Sequence, residues 1–226
     1  MSVRVSADLD AVSLSALMSS RLCHDLINPV GALSSGLEVL ADPSMDSSMK
    51  EAAIDLIKSS AEKSVALLKY ARLAYGASGG MGAELPFEEA HGALNAMFAW
   101  SKAKLDWRIA PGYAPKDEVK ALLVLAIAAA DCAPRGGDVV VEGGRGGYNL
   151  RVSGGRIIVQ DEMIRVLRGD SAELKPKFAP HYLTGLTARA AGGGVEVETG
   201  EGFVAFSVRF EAGGASSLRA GSLTAG

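Results

Sequence analysis

Cysteine and histidine are scarce in this chain of 226 residues. The two cysteines, Cys23 and Cys132, are too few for a disulfide framework and lack the close pairing of a Cys-x-x-Cys metal site. They are typical of free thiols in a reducing compartment, so we expect a cytoplasmic protein. Only three histidines are present, His24, His91 and His181, so any chemistry that needs an imidazole has few candidates.

A strong net charge and a long hydrophobic run are also missing. The formal net charge is −3, which gives no electrostatic reason to expect nucleic acid or a membrane surface as a partner. The longest apolar run, Ala121–Ala130, is about half the roughly 20 residues that a membrane span requires, so it predicts a buried helix. The first residues do not have the basic and apolar regions of a signal peptide.

The chain changes character near residue 76. Glycine and proline are sparse before it, whereas Gly-rich turns separate short apolar runs after it. Gly76–Gly82 has the composition of a flexible linker. We therefore predict a helical part over residues 1–76, a mixed α/β domain over 83–212, and a disordered tail of small and polar residues over 213–226.

Two amphipathic helices are predicted in the first part. Apolar residues recur every three to five residues from Leu14 to Leu40, and Asp42-Pro43 ends this helix because proline disfavours helical geometry in the residue before it. A second helix with its own apolar stripe is predicted from Ser47 to Tyr75. The short connection predicts an antiparallel hairpin. Its stripes are longer than one neighbour can cover, so we predict a homodimeric four-helix bundle.

The second part alternates helices and strands. The predicted helices are Phe87–Ala99, Lys116–Cys132, Asp161–Arg168 and Pro180–Ala191. The predicted strands are Leu105–Ile109, Asp138–Glu142, Tyr148–Ser153, Arg156–Gln160, Val195–Thr199 and Phe203–Phe210. This order predicts an α/β sandwich, with one sheet that carries helices on one face.

His24 lies on the polar side of the first predicted helix. At about 100° per residue it points away from the apolar stripe, and it shares its side with Arg21, Asn28, Gly31 and Ser35. A neutral imidazole is a good nucleophile near neutral pH and can carry a covalent intermediate. Asp25 could hold the reactive tautomer, and Arg21 could pair with phosphoryl oxygens. A single histidine on a helix is most often an ordinary surface residue. Whether His24 has a catalytic role must therefore be judged from its neighbours in the sequence.

Those neighbours resemble the phosphoacceptor box of sensor histidine kinases. The box has a histidine, an acidic residue and a hydrophobic residue, then Asn-Pro and an aliphatic residue; here it is His24-Asp25-Leu26-Ile27-Asn28-Pro29-Val30. Leu67–Leu73 resembles the end of the second dimerisation helix of those kinases. In the second part, Ala133–Val139 and Leu183–Val195 resemble two segments of their ATP-binding domain.

The residues that hold the nucleotide in those kinases are missing. Val124 and Ala128 stand where the kinases carry asparagines for Mg²⁺-ATP. Arg151–Arg156 lacks the aspartate of the adenine-binding Asp-x-Gly-x-Gly box, and the chain leaves no room for a Gly-rich ATP lid. The resemblance therefore implies a degenerate kinase-like α/β sandwich that keeps the shape and has lost the nucleotide site.

A kinase-like chain with the histidine and without the ATP site resembles the ChpT-type histidine phosphotransferases of alphaproteobacteria. This family implies a homodimer whose residues 1–76 form the dimerisation and phosphotransfer hairpin. It implies that a receiver aspartate of a CckA-type hybrid kinase phosphorylates His24, which then passes the group to response regulators of the CtrA and CpdR types. The chain would need no cofactor of its own, since the receiver domain supplies Mg²⁺.

The candidate site residues form two sets. The catalytic set consists of His24 as phosphoacceptor with Arg21, Asp25 and Asn28. The receiver-docking set contains apolar or small residues near His24, with one arginine: Cys23, Ile27, Gly31, Leu68 and Arg72. Two alternatives stay open, namely an active histidine kinase with a divergent nucleotide site, and a scaffold that docks receivers without transferring phosphate.

Overall fold

The computed structural model describes residues 9–76 and 83–211. Within these ranges the chain forms a pair of long helices followed by an α/β domain. The predicted linker beyond Gly76 and the predicted tail over 213–226 lie outside the described residues. No helix within the described ranges is long and apolar enough to cross a membrane.

The first part is the predicted hairpin. Helix α1 spans Ala11–Ala41 and helix α2 spans Ser47–Ala74. Both begin at an aspartate, Asp10 and Asp46, whose carboxylates accept hydrogen bonds from backbone N–H groups of the first turn. These N–H groups have no partner inside a helix, and an acidic residue at this position therefore fixes where each helix starts.

Small residues bring α1 and α2 close together. Pro29 and Gly36 are the two buried residues of α1. A Cβ added at Gly36 would lie 2.6 Å from Cγ1 of Ile57 and 3.2 Å from the carbonyl oxygen of Ala53. The backbone of α1 therefore approaches α2 more closely at this level than a side chain would allow.

The hairpin leaves a long apolar surface exposed. Twelve large hydrophobic residues are exposed within the described ranges, and nine of them lie on the two helices. These nine are Val12, Ile27, Val30, Leu37, Met49, Ile54, Leu56, Val65 and Leu68. An exposed apolar area of this extent is typical of an interaction surface. We name it the apolar face of the hairpin.

The α/β domain contains a five-stranded sheet and a two-stranded ribbon. Its strands are β1 (Glu84–Pro86), β2 (Ala103–Trp107), β3 (Tyr113–Pro115), β4 (Gly137–Gly144), β5 (Gly147–Ser153), β6 (Gly194–Gly200) and β7 (Phe203–Arg209). Its helices are α3 (Phe87–Phe98), α4 (Lys116–Asp131), α5 (Asp161–Leu167) and α6 (Ala179–Ala190), and a short 3-10 helix over Pro176–Phe178 precedes α6. The sheet order is β2-β4-β5-β7-β6, in which β2 and β4 are parallel and the other neighbours antiparallel.

One face of the sheet is covered by helices and the other is polar. Along β5 the buried side chains are Tyr148, Leu150 and Val152, whereas Asn149 and Arg151 are exposed on the opposite face. Helix α4 contacts the covered face, and it also contacts α2, α3 and α6. The predicted hairpin followed by an α/β sandwich is therefore confirmed.

Two details differ from the secondary structure that we predicted. Arg156–Gln160 is not a strand in the described structure; its Ile158 N–H donates instead to the carbonyl oxygen of Cys132, just after α4. Ile157 and Val159 pack on the core, and this alternation gives the segment its strand-like pattern. The ribbon of β1 and β3 escaped prediction because each strand has only three residues.

Two tyrosines in the core differ in how their hydroxyl groups are paired. Tyr148 donates a 2.9 Å hydrogen bond to the carboxylate of Glu118, which is 7% exposed and also accepts one from the backbone N–H of Gly146. Glu118 thereby ties the first turn of α4 to the turn between β4 and β5. The hydroxyl of Tyr182 is buried and has no partner within the described residues.

The two tyrosines should respond oppositely to replacement by phenylalanine. Tyr148→Phe is expected to lower the free energy of unfolding by about 2 kcal/mol, because Glu118 loses a buried partner. Tyr182→Phe removes a hydroxyl that is desolvated without compensation, and we expect it to raise that free energy by about 1 kcal/mol. Urea unfolding followed by circular dichroism measures both, and an equal loss in the two variants would contradict the pairing described here.

Candidate functional site

His24 stands on the exposed side of α1. Its side chain is 76% exposed, and Asn28 and Gly31, which follow it by one and two turns, are exposed as well. A Cβ added at Gly31 would meet no atom within 4 Å. The surface beside the imidazole is therefore open to another molecule, as the sequence predicted.

The two carboxylate oxygens of Asp25 face two different side chains. Oδ2 accepts a 2.7 Å hydrogen bond from Nε of Arg21, and Oδ1 lies 3.5 Å from Nδ1 of His24. Because Nδ1 faces the carboxylate, a proton on this nitrogen is favoured and Nε2 keeps its lone pair. Nε2 has no hydrogen-bond partner within the described residues, so the nitrogen that can act as nucleophile is the one that faces solvent.

Arg21 extends from the hairpin toward the α/β domain. It lines a small cavity together with Asp131 at the end of α4, Lys177 in the 3-10 helix and His181 in α6. Nδ1 of His181 is buried and has no hydrogen-bond partner within the described residues. Burial, helped by the positive charges of Arg21 and Lys177, lowers the pKa of His181 to about 3, so this imidazole is neutral at neutral pH.

A second cavity adjoins the other side of Arg21. It is lined by residues of all four surrounding helices, among them Asp25, Tyr70, Tyr75 and Ile127. The rings of Tyr70 and Tyr75 pack edge to face with centroids 5.8 Å apart, and the Tyr70 hydroxyl donates to the carbonyl oxygen of Leu123 in α4. Burial raises the pKa of both tyrosines. The end of α2 is thereby fixed to α4, directly behind the acidic neighbour of His24.

The sequence of the α/β domain matches a known family. The histidine phosphotransferase C-terminal domain family matches residues 87–202, which is more than half of the chain. Protein phosphotransferase ChpT of Brucella abortus (strain 2308) is 40% identical over 133 residues, which are 59% of this chain and 62% of that protein. The chain belongs to the ChpT-type histidine phosphotransferases. The aligned part spans about three fifths of the length of that Brucella relative.

One solved structure extends the likeness to the hairpin. A bacterial phosphotransferase aligns with a TM-score of 0.80 and 31% identity, over 90% of this chain and 98% of that chain. Histidine kinase ThkA, solved in complex with response regulator protein TrrA, aligns with a TM-score of 0.47 and 13% identity, over 88% of this chain and 62% of that chain. Only the first of these likenesses is close enough to support the family.

The positions that would bind a nucleotide in a kinase are apolar and buried in this family member. Val124 and Ala128 are 5% and 1% exposed, where α6 packs against α4. The cavity that Val124 lines has a volume of about 80 Å³, whereas pockets for small ligands measure roughly 300–1,000 Å³. The side chains of Val124 and Ala128 offer no ligand to Mg²⁺ and no donor to a phosphate.

The predicted docking residues occupy two surfaces. Cys23, Ile27 and Gly31 follow one another at four-residue intervals on the exposed side of α1, beside His24. Leu68 and Arg72 are exposed on α2, where Leu68 is part of the apolar face of the hairpin and Arg72 pairs with Glu89 of α3 at 3.3 Å. Their part in docking stays a prediction.

Sequence reasoning missed the polar residues that surround Arg21. His181, Lys177 and Asp131 are far from Arg21 along the chain, and only the packing of α6 and the 3-10 helix on α1 brings them together. No motif marks them. The one available signal is His181 itself, since a histidine next to a proline in a buried helix needs a structural reason.

Proposed function

We propose that this chain is a histidine phosphotransferase in a phosphorelay, in which His24 is the residue that carries the phosphoryl group. The observation that supports this most is the exposed Nε2 of His24 with a carboxylate at Nδ1, in a chain whose nucleotide-binding positions are filled by apolar side chains. The group then has to come from another protein. A receiver aspartate of a hybrid histidine kinase of the CckA type is the proposed donor.

The proposed step is a displacement at phosphorus. The lone pair on Nε2 of His24 attacks the acyl phosphate of the receiver, a P–N bond forms, and the P–O bond to the aspartate breaks so that its carboxylate leaves with the electron pair. The proton on Nδ1 stays there and is stabilised by Asp25. Asn28, one turn away and exposed, can donate its amide to a phosphoryl oxygen. The reverse step on a second receiver, of the CtrA or CpdR type, completes the relay.

The receiver contributes the charge that the step requires. Phosphoryl transfer depends on neutralisation of the phosphoryl oxygens, commonly by Mg²⁺. In our proposal Mg²⁺ belongs to the receiver, and this chain provides the nucleophile, its orientation and a surface that admits the receiver. That surface contains Cys23, Ile27 and Gly31 on α1, with Leu68 and Arg72 contributing from α2.

A transfer assay with a radiolabelled, phosphorylated receiver tests this function. We expect the label to move to the wild-type chain and to be lost in His24→Ala, because the nucleophile is gone. His91→Ala is the matched control: it removes a half-buried imidazole that stacks on Trp107, away from α1, and should keep the label. Gel autoradiography after denaturation reads both.

Each alternative function gives a different result in the same assay. Label on His24→Ala would contradict the proposal. Label on the wild-type chain after incubation with ATP alone would identify an active histidine kinase. Binding of the receiver to the wild-type chain without any label would identify a scaffold.

A bulky side chain at Gly31 should obstruct the receiver without harming the fold. Gly31→Phe is expected to slow transfer to His24 at least about tenfold, because the ring would occupy the space that the receiver enters. Glu196→Phe adds the same ring to an exposed position of β6 and should leave the rate unchanged. Single-turnover transfer rates, with melting curves for both variants, make the comparison. Equal rates in the two variants would remove Gly31 from the docking surface.

We also propose that two hairpins pair through the part of their apolar faces that excludes the docking residues Ile27 and Leu68, which gives the homodimeric four-helix bundle. The support is the row of exposed apolar residues, including Ile54 and Val65 on α2 and Val30 and Leu37 on α1. Their burial against a second copy would remove apolar surface from water.

Sedimentation equilibrium tests this pairing. We expect twice the chain mass of 23.3 kDa for the wild type and the mass of one chain for Val65→Lys, because a charge at this position would be buried without a partner. Glu196→Lys, which places the same lysine at an exposed position of β6, is the control and should remain dimeric. A wild-type chain that sediments as a monomer would contradict the proposal.

A further inference from the structure

Asp25, the acidic neighbour of His24, is oriented by Arg21. Arg21 is a residue of α1 that also contacts cavities lined by the α/β domain. Asp25 presents Oδ1 to Nδ1 of His24 because its other oxygen is held at 2.7 Å by Nε of Arg21. A carboxylate fixed at one oxygen can place the second with little freedom. Without the guanidinium, Asp25 could turn about its side-chain bonds and leave the imidazole.

The position of Arg21 is in turn set by the α/β domain. Its side chain is 21% exposed, and it stands between two cavities whose walls come from that domain as well as from the hairpin. Asp131, Lys177 and His181 line one of them, and Ile127 lines the other. The C-terminal half of α4, the 3-10 helix and α6 are among the elements of the α/β domain that line these cavities.

The charges in this region restrict where the guanidinium can go. Lys177 and Arg21 repel each other, and the neutral, buried His181 offers no countercharge. Among the described acidic groups, Asp25 forms an ion pair with Arg21, and Asp131 lines the same cavity. The guanidinium is therefore directed to the carboxylate next to His24.

We propose that Arg21 is a positioning residue for His24, held by the α/β domain and acting through Asp25. This inference rests on the proposed function, and it assigns a task to the α/β domain that needs no nucleotide: this domain keeps Asp25 aligned with Nδ1 of His24. Arg21 then does not contact the phosphoryl group, because its Nε is paired with Asp25 and most of its side chain is covered.

A double-mutant cycle separates this indirect role from direct contact with phosphate. Arg21→Met in the wild-type background is expected to slow transfer from a phosphorylated receiver to His24 by about 10- to 100-fold, as loss of an orienting partner does elsewhere. In an Asp25→Asn background the same replacement should change the rate less than about twofold, because the residue it acts through is already altered. Equal losses in both backgrounds would mean that Arg21 contacts the phosphoryl group, and would overturn the proposal.

The tautomer of His24 provides a second measurement that needs no receiver. Nitrogen-15 NMR of the imidazole distinguishes a proton on Nδ1 from one on Nε2. We expect mainly the Nδ1–H form in the wild type and a shift toward Nε2–H in Arg21→Met. Arg21→Lys, which keeps the charge but not the planar guanidinium, should fall between them. Lys104→Met, which removes a positive charge from an exposed position of β2, is the control and should retain the wild-type tautomer.

The two measurements distinguish failure of this inference from failure of the proposed function. Unchanged tautomer and unchanged transfer in Arg21→Met, in a folded protein by circular dichroism, would overturn the positioning role while His24 stays the phosphoacceptor. If His24→Ala still becomes labelled, the proposed function fails, and the NMR result continues to report whether Arg21 orients Asp25.

Discussion

The burial of α4 constrains the rest of the molecule. This helix packs on the covered face of the sheet, and α2, α3 and α6 pack around it, so most of its residues have lost contact with water. A helix in this position can carry few polar side chains unless each has a partner, because a buried polar group without one is costly. Glu118 has its partners at the first turn, and beyond it the buried residues of α4 are all apolar. The packing of α2 on the domain and the apolar character of Val124 and Ala128 follow from the same feature.

The residues of the candidate site also differ in how far they are buried by this packing. His24 and Asn28 stay exposed because nothing in the described chain packs on that side of α1, whereas Arg21 and Asp25 are partly covered where α1 meets the α/β domain. In our proposal the exposed residues contact the partner, and the covered residues set the direction in which the imidazole points.

The sequence was informative where the determinants are local. The spacing of apolar residues in α1 and α2, the stop at Asp42-Pro43 and the apolar run of α4 each arise from one segment, so element type and hairpin could be predicted closely. The Arg156–Gln160 segment shows the limit of this reasoning. The apolar residues alternate because the segment is half-buried beside α4. A strand also needs a neighbouring strand to pair with, and the sequence pattern does not show whether one is present. For Arg21 the sequence could give the helix face and the charge. Its surroundings depend on residues brought near by tertiary packing, and its pairing with Asp25 could be read only once both side chains were placed.

The two cysteines have opposite surroundings. Cys132 is 2% exposed, and burial raises the pKa of its thiol to about 12, so it carries almost no thiolate at neutral pH. Cys23 is exposed on α1, one residue before His24. A thiol-specific probe would therefore attach at one position in the native chain without any engineering, next to the imidazole. A small spectroscopic label placed there would report changes in the immediate surroundings of His24.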